Sequence, residues 1–229
     1  MSSSAPESIA DINAEVVACT KCPRLVAWRE AVAANPPARY RGQAYWARPV
    51  PGFGDPGARL LVVGLAPAAH GGNRTGRIFT GDRSGEWLFR ALYRSGFANQ
   101  PHSIHADDGL ALADCYIAAP VRCAPPANRP LPEERDNCLP YLVRELRALH
   151  MLEVIVALGA YAWQATLLAL RRNGVVTPSP RPAFGHGSLS EVGPYRLLGS
   201  YHPSQQNTFT GKLTEQALDE VFAHARVLI

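Results

Sequence analysis

The sequence has no apolar run as long as the roughly 18 residues that a membrane-spanning helix needs. Its first residues, MSSSAPESIADIN, are polar and acidic, so they lack the apolar stretch of a secretory signal. These absences disfavour membrane proteins and exported proteins. We therefore expect a soluble, cytoplasmic protein with no membrane partner.

The sequence also lacks a strong excess of charge of one sign. The formal net charge is +4 over 229 residues, which is compatible with a nucleic-acid partner but does not argue for one. Hydrophobic residues make up 47% and charged residues 18%, as in an ordinary globular protein with a sizeable core. We expect a single domain spanning residues 1–229.

Two common phosphate-binding fingerprints are missing as well. The apolar run 60–63 reads as a buried strand, and it leads into a glycine-rich polar loop that extends to Asp82. This loop does not end in Gly-Lys-Ser/Thr, and it lacks the spacing of a dinucleotide-binding loop. Glycines nevertheless let backbone N–H groups approach a ligand closely. The sequence therefore predicts a ligand pocket at the carboxyl edge of a sheet.

Strands and helices alternate along the rest of the chain. Strands are predicted at 60–63, 114–121, 154–158 and 195–201, and helices at 7–18, 84–94, 132–149, 160–173 and 213–229. This order predicts a parallel sheet between layers of helices. The loops after the first, second and fourth strands should then meet at one edge. Residues 29–57 and 174–190 have no clear period and are predicted loops.

Five cysteines, in a chain without an export signal, favour metal binding or free thiols over disulfides. Cys19 and Cys22 form a Cys-x-x-Cys pair, whereas Cys123 follows a strand and Cys138 lies in the next helix. The four can face one point and bind zinc or a [4Fe–4S] cluster, which spacing does not separate. A loose pair with buried free thiols is the alternative. Cys115, inside a strand, is predicted to be a core thiol.

Four other side chains have both a functional and a structural interpretation. His202 follows a strand, where it either meets a ligand or is an ordinary loop residue. His70 is a ligand, an acid/base group or a solvated side chain. Phe79 is a stacking plate for a planar ring or a plug beneath the loop. Asp82 takes part in chemistry or caps the following helix. The polar stretch 204–212 is predicted to be exposed, and it could enter a nucleic-acid groove or cap a pocket.

Three motifs together carry a family resemblance. GLAPAAHGGNRTGRIFTGD at 64–82, CAPPANRP at 123–130 and HPSQQNTFTGKLT at 202–214, with the Cys-x-x-Cys at 19–22, resemble the uracil-DNA glycosylase superfamily, and within it the bacterial and archaeal type B enzymes of family 5. The resemblance covers the chain from about residue 19 to the C-terminal helix. It implies an αβα sandwich with a central four-stranded parallel sheet.

The resemblance also implies a [4Fe–4S] cluster that ties the N-terminal segment, about residues 1–57, to the rest of the domain. Its ligands would be Cys19, Cys22, Cys123 and Cys138. The implied partner is DNA that contains deaminated bases, bound by a monomer in the cytosol. A zinc-stabilised hydrolase of a small nucleotide is a weaker alternative that lacks such a cluster.

The implied reaction is the removal of uracil, and also of hypoxanthine and related lesions, by hydrolysis of the N-glycosidic bond of an extrahelical base. Residues 64–72 contain no carboxylate or amide side chain to hold the attacking water. The resemblance assigns that water to Asn128, and Asp82 is a carboxylate that could assist. His202 would donate a hydrogen bond to a uracil carbonyl, and Phe79 would stack on the base. The missing carboxylate leaves a non-catalytic damage-binding module as the alternative.

The remaining assignments concern the base pocket and the DNA backbone. Gly64, Ala68 and His70 are assigned to the pocket, and Ala118 and Ala119 stand where family 4 has a base-reading asparagine, which implies a broader range of lesions. Candidate DNA contacts are Arg74, Arg77, Ser204, Gln205, Gln206, Asn207 and Lys212.

Overall fold

The computed structural model describes residues 7–229, so the first six residues of the polar N-terminus lie outside the described part. The described strands are β1 (Phe53–Gly54), β2 (Leu60–Val63), β3 (Cys115–Ala118), β4 (Val154–Leu158), β5 (Leu189–Val192) and β6 (Tyr195–Ser200). The described α-helices are α1 (Ile9–Ala18), α2 (Pro23–Ala34), α3 (Gly72–Thr75), α4 (Arg83–Arg94), α5 (Pro132–Ala148), α6 (Ala160–Arg172), α7 (Gln205–Phe209) and α8 (Glu215–Leu228).

The strands form one sheet in the order β1-β3-β2-β4-β6-β5. The four inner strands are parallel, with Val62 of β2 in register with Ile117 of β3 and Val156 of β4. This centre confirms the predicted parallel sheet between helices. The predicted total of four strands is wrong, because antiparallel edge strands β1 and β5 extend the sheet to six within residues 7–229.

Strand β2 is buried on both faces, as expected for a central parallel strand. Leu60 and Val62 belong to one apolar cluster with residues of α4 and α8. Leu61 and Val63 belong to the opposite cluster with residues of α5 and α6. Because side chains alternate along a strand, one short apolar run supports both helical layers. The three-layer sandwich is therefore confirmed.

The N-terminal helices pack beside this sandwich. Ser8 and Asp11 form a capping box that begins α1, and α1 buries Ile12 and Val16 against α5 beside Cys138. Helix α2 begins directly after Cys22, with proline at its first position, where the missing N–H costs nothing. The loop predicted for 29–57 is thus wrong at its start, because α2 continues to Ala34. None of the helices in residues 7–229 is long and apolar enough to cross a bilayer.

Candidate active site and cysteine centre

The carboxyl ends of the parallel strands meet around a small group of side chains, as the alternation predicts. A Cβ atom on Gly64, which follows β2, would lie 2.7 Å from the ring of Phe79. The ring of Phe79 lies 5.8 Å from the His202 imidazole, centroid to centroid, at an interplanar angle of 31°. A Cβ on Gly159, which follows β4, would lie 3.5 Å from the Cβ of His202. Three strand ends therefore converge on the pair Phe79–His202.

The backbone of Phe79 is unusual, because its φ is +52°. A bulky residue rarely adopts this left-handed conformation, and surrounding structure must hold it there. Helix α4 packs closely against this backbone, since a Cβ at Gly85 would lie only 1.8 Å from the Phe79 carbonyl oxygen. Glycine at position 85 thus allows α4 to begin directly beside Phe79.

His202 is half-buried and lies two residues after the end of β6. Burial lowers the pKa of His202 to about 4, so its imidazole is neutral at physiological pH. The His202 carbonyl accepts a hydrogen bond of 2.8 Å from the Asn207 side chain. A neutral imidazole held in this way can donate one hydrogen bond into the pocket without carrying a charge.

Asp82 caps the following helix, and its carboxylate also faces the glycine-rich loop. One carboxylate oxygen accepts the Gly85 N–H at 2.9 Å and caps α4. The other faces the glycine-rich loop, because a Cβ at Gly71 would lie 1.9 Å from it. Burial raises the pKa of Asp82 above its ordinary value. A buried carboxylate with a raised pKa has the properties of a general base.

His70 and Ala68 lie in the loop that follows β2. The Tyr45 hydroxyl and Nδ1 of His70 are hydrogen-bonded at 2.9 Å, and the Tyr40 ring lies 5.8 Å from the imidazole, centroid to centroid, at a tilt of 32°. Burial, helped by the charges of Arg39 and Arg74, lowers the pKa of His70. The Ala68 carbonyl accepts the Gly71 and Asn73 amides, at 3.2 and 3.1 Å. Ala68 therefore shapes the loop through its backbone.

Asn128 lies at the end of a 3₁₀ turn, Pro126–Asn128, that follows β3. It is exposed, and its φ of +56° places it in the left-handed region, where asparagine is favoured over most residues. Its neighbour Ala127 has a similar φ of +52°. Two consecutive left-handed residues bend this segment sharply after Cys123.

Arg74 and Arg77 are both assigned to phosphate contacts from the sequence, but the side chain of Arg77 is buried. Its side chain is 5% exposed, and it pairs with the equally buried Asp108 at 2.8 Å. It also donates to the Thr80 hydroxyl. We therefore correct its assignment, because a guanidinium enclosed in this way is not available to DNA. Arg74 is half-buried and donates to the carbonyls of His70 and Gly81.

The polar segment after His202 is not an extended tail. Ser204 caps α7 by accepting the Asn207 amide, so the exposed stretch predicted for 204–212 contains a short helix. Gln205, Gln206 and Lys212 are exposed. Ser204 and Asn207 are half-buried instead, with their side chains turned towards the protein backbone.

The same segment carries an exposed aromatic ring. Phe209 is 67% exposed, and the Arg83 guanidinium lies over its ring at 4.5 Å. The ammonium group of Lys212 lies 4.5 Å from the Tyr201 ring. Aromatic and cationic groups are thus combined beside the pocket.

Four cysteines from three parts of the chain line one small cavity. They are Cys19, Cys22, Cys123 and Cys138, the set predicted from the sequence. Cys115 is fully buried in the sheet, where its burial raises its pKa, and it does not line this cavity. Within residues 7–229, no three His, Cys, Asp or Glu side chains are arranged to hold a single metal ion.

N–H groups surround the sulfur atoms of this cysteine centre. Nη1 of Arg29 donates to the Cys123 sulfur at 3.1 Å, and the Arg122 amide donates to the Cys138 sulfur at 3.2 Å. Asn137 approaches the Cys22 sulfur at 3.8 Å. Such donors stabilise negative charge on sulfur, as thiolate ligands require.

Sequence reasoning missed several residues of these sites. Gly159 stands directly after a strand, which is a signal, but the residues that follow it form a helix with no further glycine, proline or asparagine to mark a site. Tyr45, Arg83 and Arg29 offered no local signal, because their partners lie 25 or more residues away in the chain.

Sequence similarity places the chain in a known family. Residues 51–226 match the family model of the uracil DNA glycosylase superfamily. A type-5 uracil-DNA glycosylase of Mycobacterium bovis is 52% identical over 223 residues, covering 96% of this chain and 82% of that protein. A type-5 enzyme of Pyrobaculum aerophilum is 48% identical over 215 residues, covering 94% and 91%.

A more distant relative gives a contrast. A type-4 uracil-DNA glycosylase of Archaeoglobus fulgidus is 33% identical over 159 residues, which is 69% of this chain and 63% of that protein. The type-5 matches are thus both longer and more similar. The chain therefore belongs to the uracil-DNA glycosylase superfamily, and within it to the type-5 group.

Proposed function

We propose that this protein is a DNA repair glycosylase that hydrolyses the N-glycosidic bond of uracil in DNA and leaves an abasic site. The observation that carries this proposal is the pair formed by an aromatic plate and a neutral histidine at the sheet edge, Phe79 and His202. An extrahelical uracil can stack on such a plate while the histidine donates to a base carbonyl.

The histidine acts on the leaving base. As the C–N bond breaks, its electron pair moves to the base, and negative charge grows on the uracil carbonyl oxygens. A neutral imidazole N–H of His202 stabilises that charge. Because the hydrogen bond from His202 to the base strengthens as the charge grows, it lowers the energy of the transition state more than that of the bound substrate. Leaving-group stabilisation of this type suits an oxocarbenium-like transition state.

The attacking water needs a partner on the other face of the sugar. Asp82 has one oxygen committed to the α4 cap and a second directed towards the glycine-rich loop. We assign this second oxygen to the water, as acceptor of the proton that the water loses when it bonds to the sugar carbon. Asn128, exposed after β3, remains the proposed second contact for that water.

Further residues are proposed to form the base pocket and the DNA-binding surface. Gly64 leaves room for the Phe79 ring, whereas Ala68 and His70 form the loop beside it. Small side chains at Ala118 and Ala119 offer no amide to select uracil, so hypoxanthine is proposed as a further substrate. The proposed DNA surface consists of Arg74, Ser204, Gln205, Gln206, Asn207 and Lys212, and α7 presents Phe209 where the base would leave the stack.

We further propose that the cysteine centre holds a [4Fe–4S] cluster. Four thiols that line one cavity, with N–H donors on the sulfurs of Cys123 and Cys138, fit the four thiolate ligands that such a cluster needs. When bound, the cluster supplies structure, since it would join α1 and α2 to β3 and α5.

The proposed activity is tested with labelled duplex oligonucleotides that contain one uracil or one hypoxanthine. Alkali cleaves the strand only where an abasic site has formed, so cleavage measures excision. We expect cleavage at uracil, and cleavage at hypoxanthine if the pocket is as permissive as proposed. Protein that binds these duplexes but gives no cleavage at either base would instead identify a damage-binding module. The same protein should be brown, with absorbance near 400 nm, whereas a zinc protein is colourless.

A further inference from the structure

Arg29 is a buried charge without a carboxylate partner. Its side chain, on α2, is 4% exposed, and no carboxylate in residues 7–229 forms an ion pair with it. Its Nη1 donates to the Cys123 sulfur at 3.1 Å, while its Nε has no partner. A buried guanidinium is costly unless it meets a negative charge. A neutral thiol is a poor partner for it, whereas a thiolate is a good one.

A second buried guanidinium lies at the same cavity. Arg122 is 1% exposed and pairs with Glu145, but its Nε and Nη1 have no partner. Its backbone amide donates to the Cys138 sulfur. The cysteine centre is therefore bordered by two buried guanidinium groups, and of these two only that of Arg122 has a carboxylate partner in residues 7–229. Negative charge on the cysteine sulfurs would stabilise the guanidinium of Arg29.

The backbone of Arg29 contacts the glycine-rich loop of the proposed base pocket. Its carbonyl accepts a hydrogen bond of 3.3 Å from the side chain of Asn73, which is buried in α3 of the glycine-rich loop. The same side-chain nitrogen, Nδ2 of Asn73, also donates to the Ala69 carbonyl at 3.4 Å. One residue of α2 thus contacts a thiol of the cysteine centre through its side chain and the loop of the base pocket through its backbone.

We propose that Arg29 is a positioning residue that balances the charge of the iron–sulfur centre and couples its occupancy to the order of the glycine-rich loop. This inference rests on the cluster proposed above. Filling the centre fixes the Arg29 guanidinium, and hence the turn of α2 whose carbonyl holds Asn73. Loss of the cluster would release the guanidinium and loosen residues 71–76.

The charge role is tested by measuring the reduction potential of the bound cluster. Reduction adds one negative charge, which a buried cation stabilises, so Arg29→Met should shift the potential to a more negative value. Arg29→Gln should shift it in the same direction, because it retains a donor but not the charge. Arg147→Met, which removes an exposed arginine of α5, is the matched control and should leave the potential unchanged because solvent screens that charge.

Absorbance near 400 nm shows whether a negative result concerns the cluster itself or the charge role of Arg29. Wild-type protein without this absorbance would contradict the proposed cluster itself. A wild-type cluster whose potential is unaltered in Arg29→Met would overturn the charge role alone. If Arg29→Met does not load, Arg29→Gln carries the test: a shifted potential supports the proposal, and an unshifted one overturns it.

The coupling role is tested by hydrogen exchange of the amides at 71–76. In wild-type protein, removing the cluster with an iron chelator should speed their exchange, because the loop opens more often. In Asn73→Ala these amides should already exchange fast, and removing the cluster should add no further change. Equal exchange in the loaded and stripped wild-type protein would overturn the coupling.

Discussion

The ring centroids of Phe79 and His202 lie 5.8 Å apart, with the ring planes tilted by 31°, although the two residues come from the glycine-rich loop and from the segment after β6. The Phe79 carbonyl packs closely against Gly85 of α4, and the Asn207 side chain donates a hydrogen bond to the His202 carbonyl. A planar base that enters between the strand ends would meet a stacking surface and a neutral hydrogen-bond donor together. This pairing is the basis of the proposed chemistry.

Asp82→Asn separates the charge of this residue from its capping role. Asparagine caps helices as well as aspartate, so the free energy of unfolding should change little. Excision should slow by about 10²- to 10⁴-fold, the range for loss of a general base. Single-turnover rates of the two proteins measure this. An unchanged rate would assign Asp82 to capping alone.

The pH dependence of the wild-type rate gives an independent reading of Asp82. Its carboxylate is the active form, and burial raises its pKa above the ordinary 3.8. The rate should therefore fall as the pH drops through a midpoint above 3.8, and this acid limb should vanish in Asp82→Asn. The same limb in both proteins would belong to another group.

Gly64→Ala tests the space that the Phe79 ring needs. The new Cβ would lie 2.7 Å from that ring, so the ring must move and its stacking on the base should weaken. We expect a loss of excision with little change in the salt dependence of DNA binding. Gly57→Ala is the control. Its new Cβ would lie 3.4 Å from Oδ1 of Asp55, an ordinary contact distance, so this variant should keep full activity. Full activity in Gly64→Ala would show that the ring position is not critical.

Arg77 and Lys212 should behave oppositely although both are cations. Arg77→Met leaves Asp108 buried and unpaired, so it should destabilise the fold by about 3–5 kcal/mol and lower the Tm. Lys212→Met should keep the Tm but reduce the slope of log K against log salt by about 0.9. Thermal melts and salt titrations of DNA binding test this pair. A reduced slope in Arg77→Met at unchanged Tm would restore its role as a phosphate contact.

The cysteine assignment makes a paired prediction. Cys138→Ser should lose the absorbance near 400 nm, because its sulfur lines the cavity. Cys115→Ser should retain it, since Cys115 lies in the sheet and does not line that cavity. Iron content and the visible spectrum of the purified variants decide the matter. Bleaching by Cys115→Ser instead would mean that the ligand set is wrong.

The inner sheet was predictable because its strands are short apolar runs followed by helices. Strand β5 was not, because Leu189–Val192 reads LSEV and only Val192 is buried; its pairing with β6 supplies what its composition does not. Strand β1 has two residues, too few for any pattern. Helix α7 has five residues and depends on the Ser204 cap rather than on an apolar stripe.

The site shows the same division between local and long-range information. The motifs identify Phe79, Asp82 and His202, because each stands in a recognisable local setting. They do not show that Arg77 is buried, since its partner Asp108 lies 31 residues further along the chain. Arg29 carries no motif at all, and its thiol contact depends on how α2 packs against the segment after β3.

The most direct test of the proposed mechanism is single-turnover excision of uracil by His202→Ala, with duplex binding measured in the same samples. We expect excision to slow by about 10²- to 10³-fold, as when one donor to a developing oxyanion is removed, while binding stays nearly unchanged. Equal losses of binding and excision, or wild-type excision by His202→Ala, would contradict the role of His202 in stabilising the departing base.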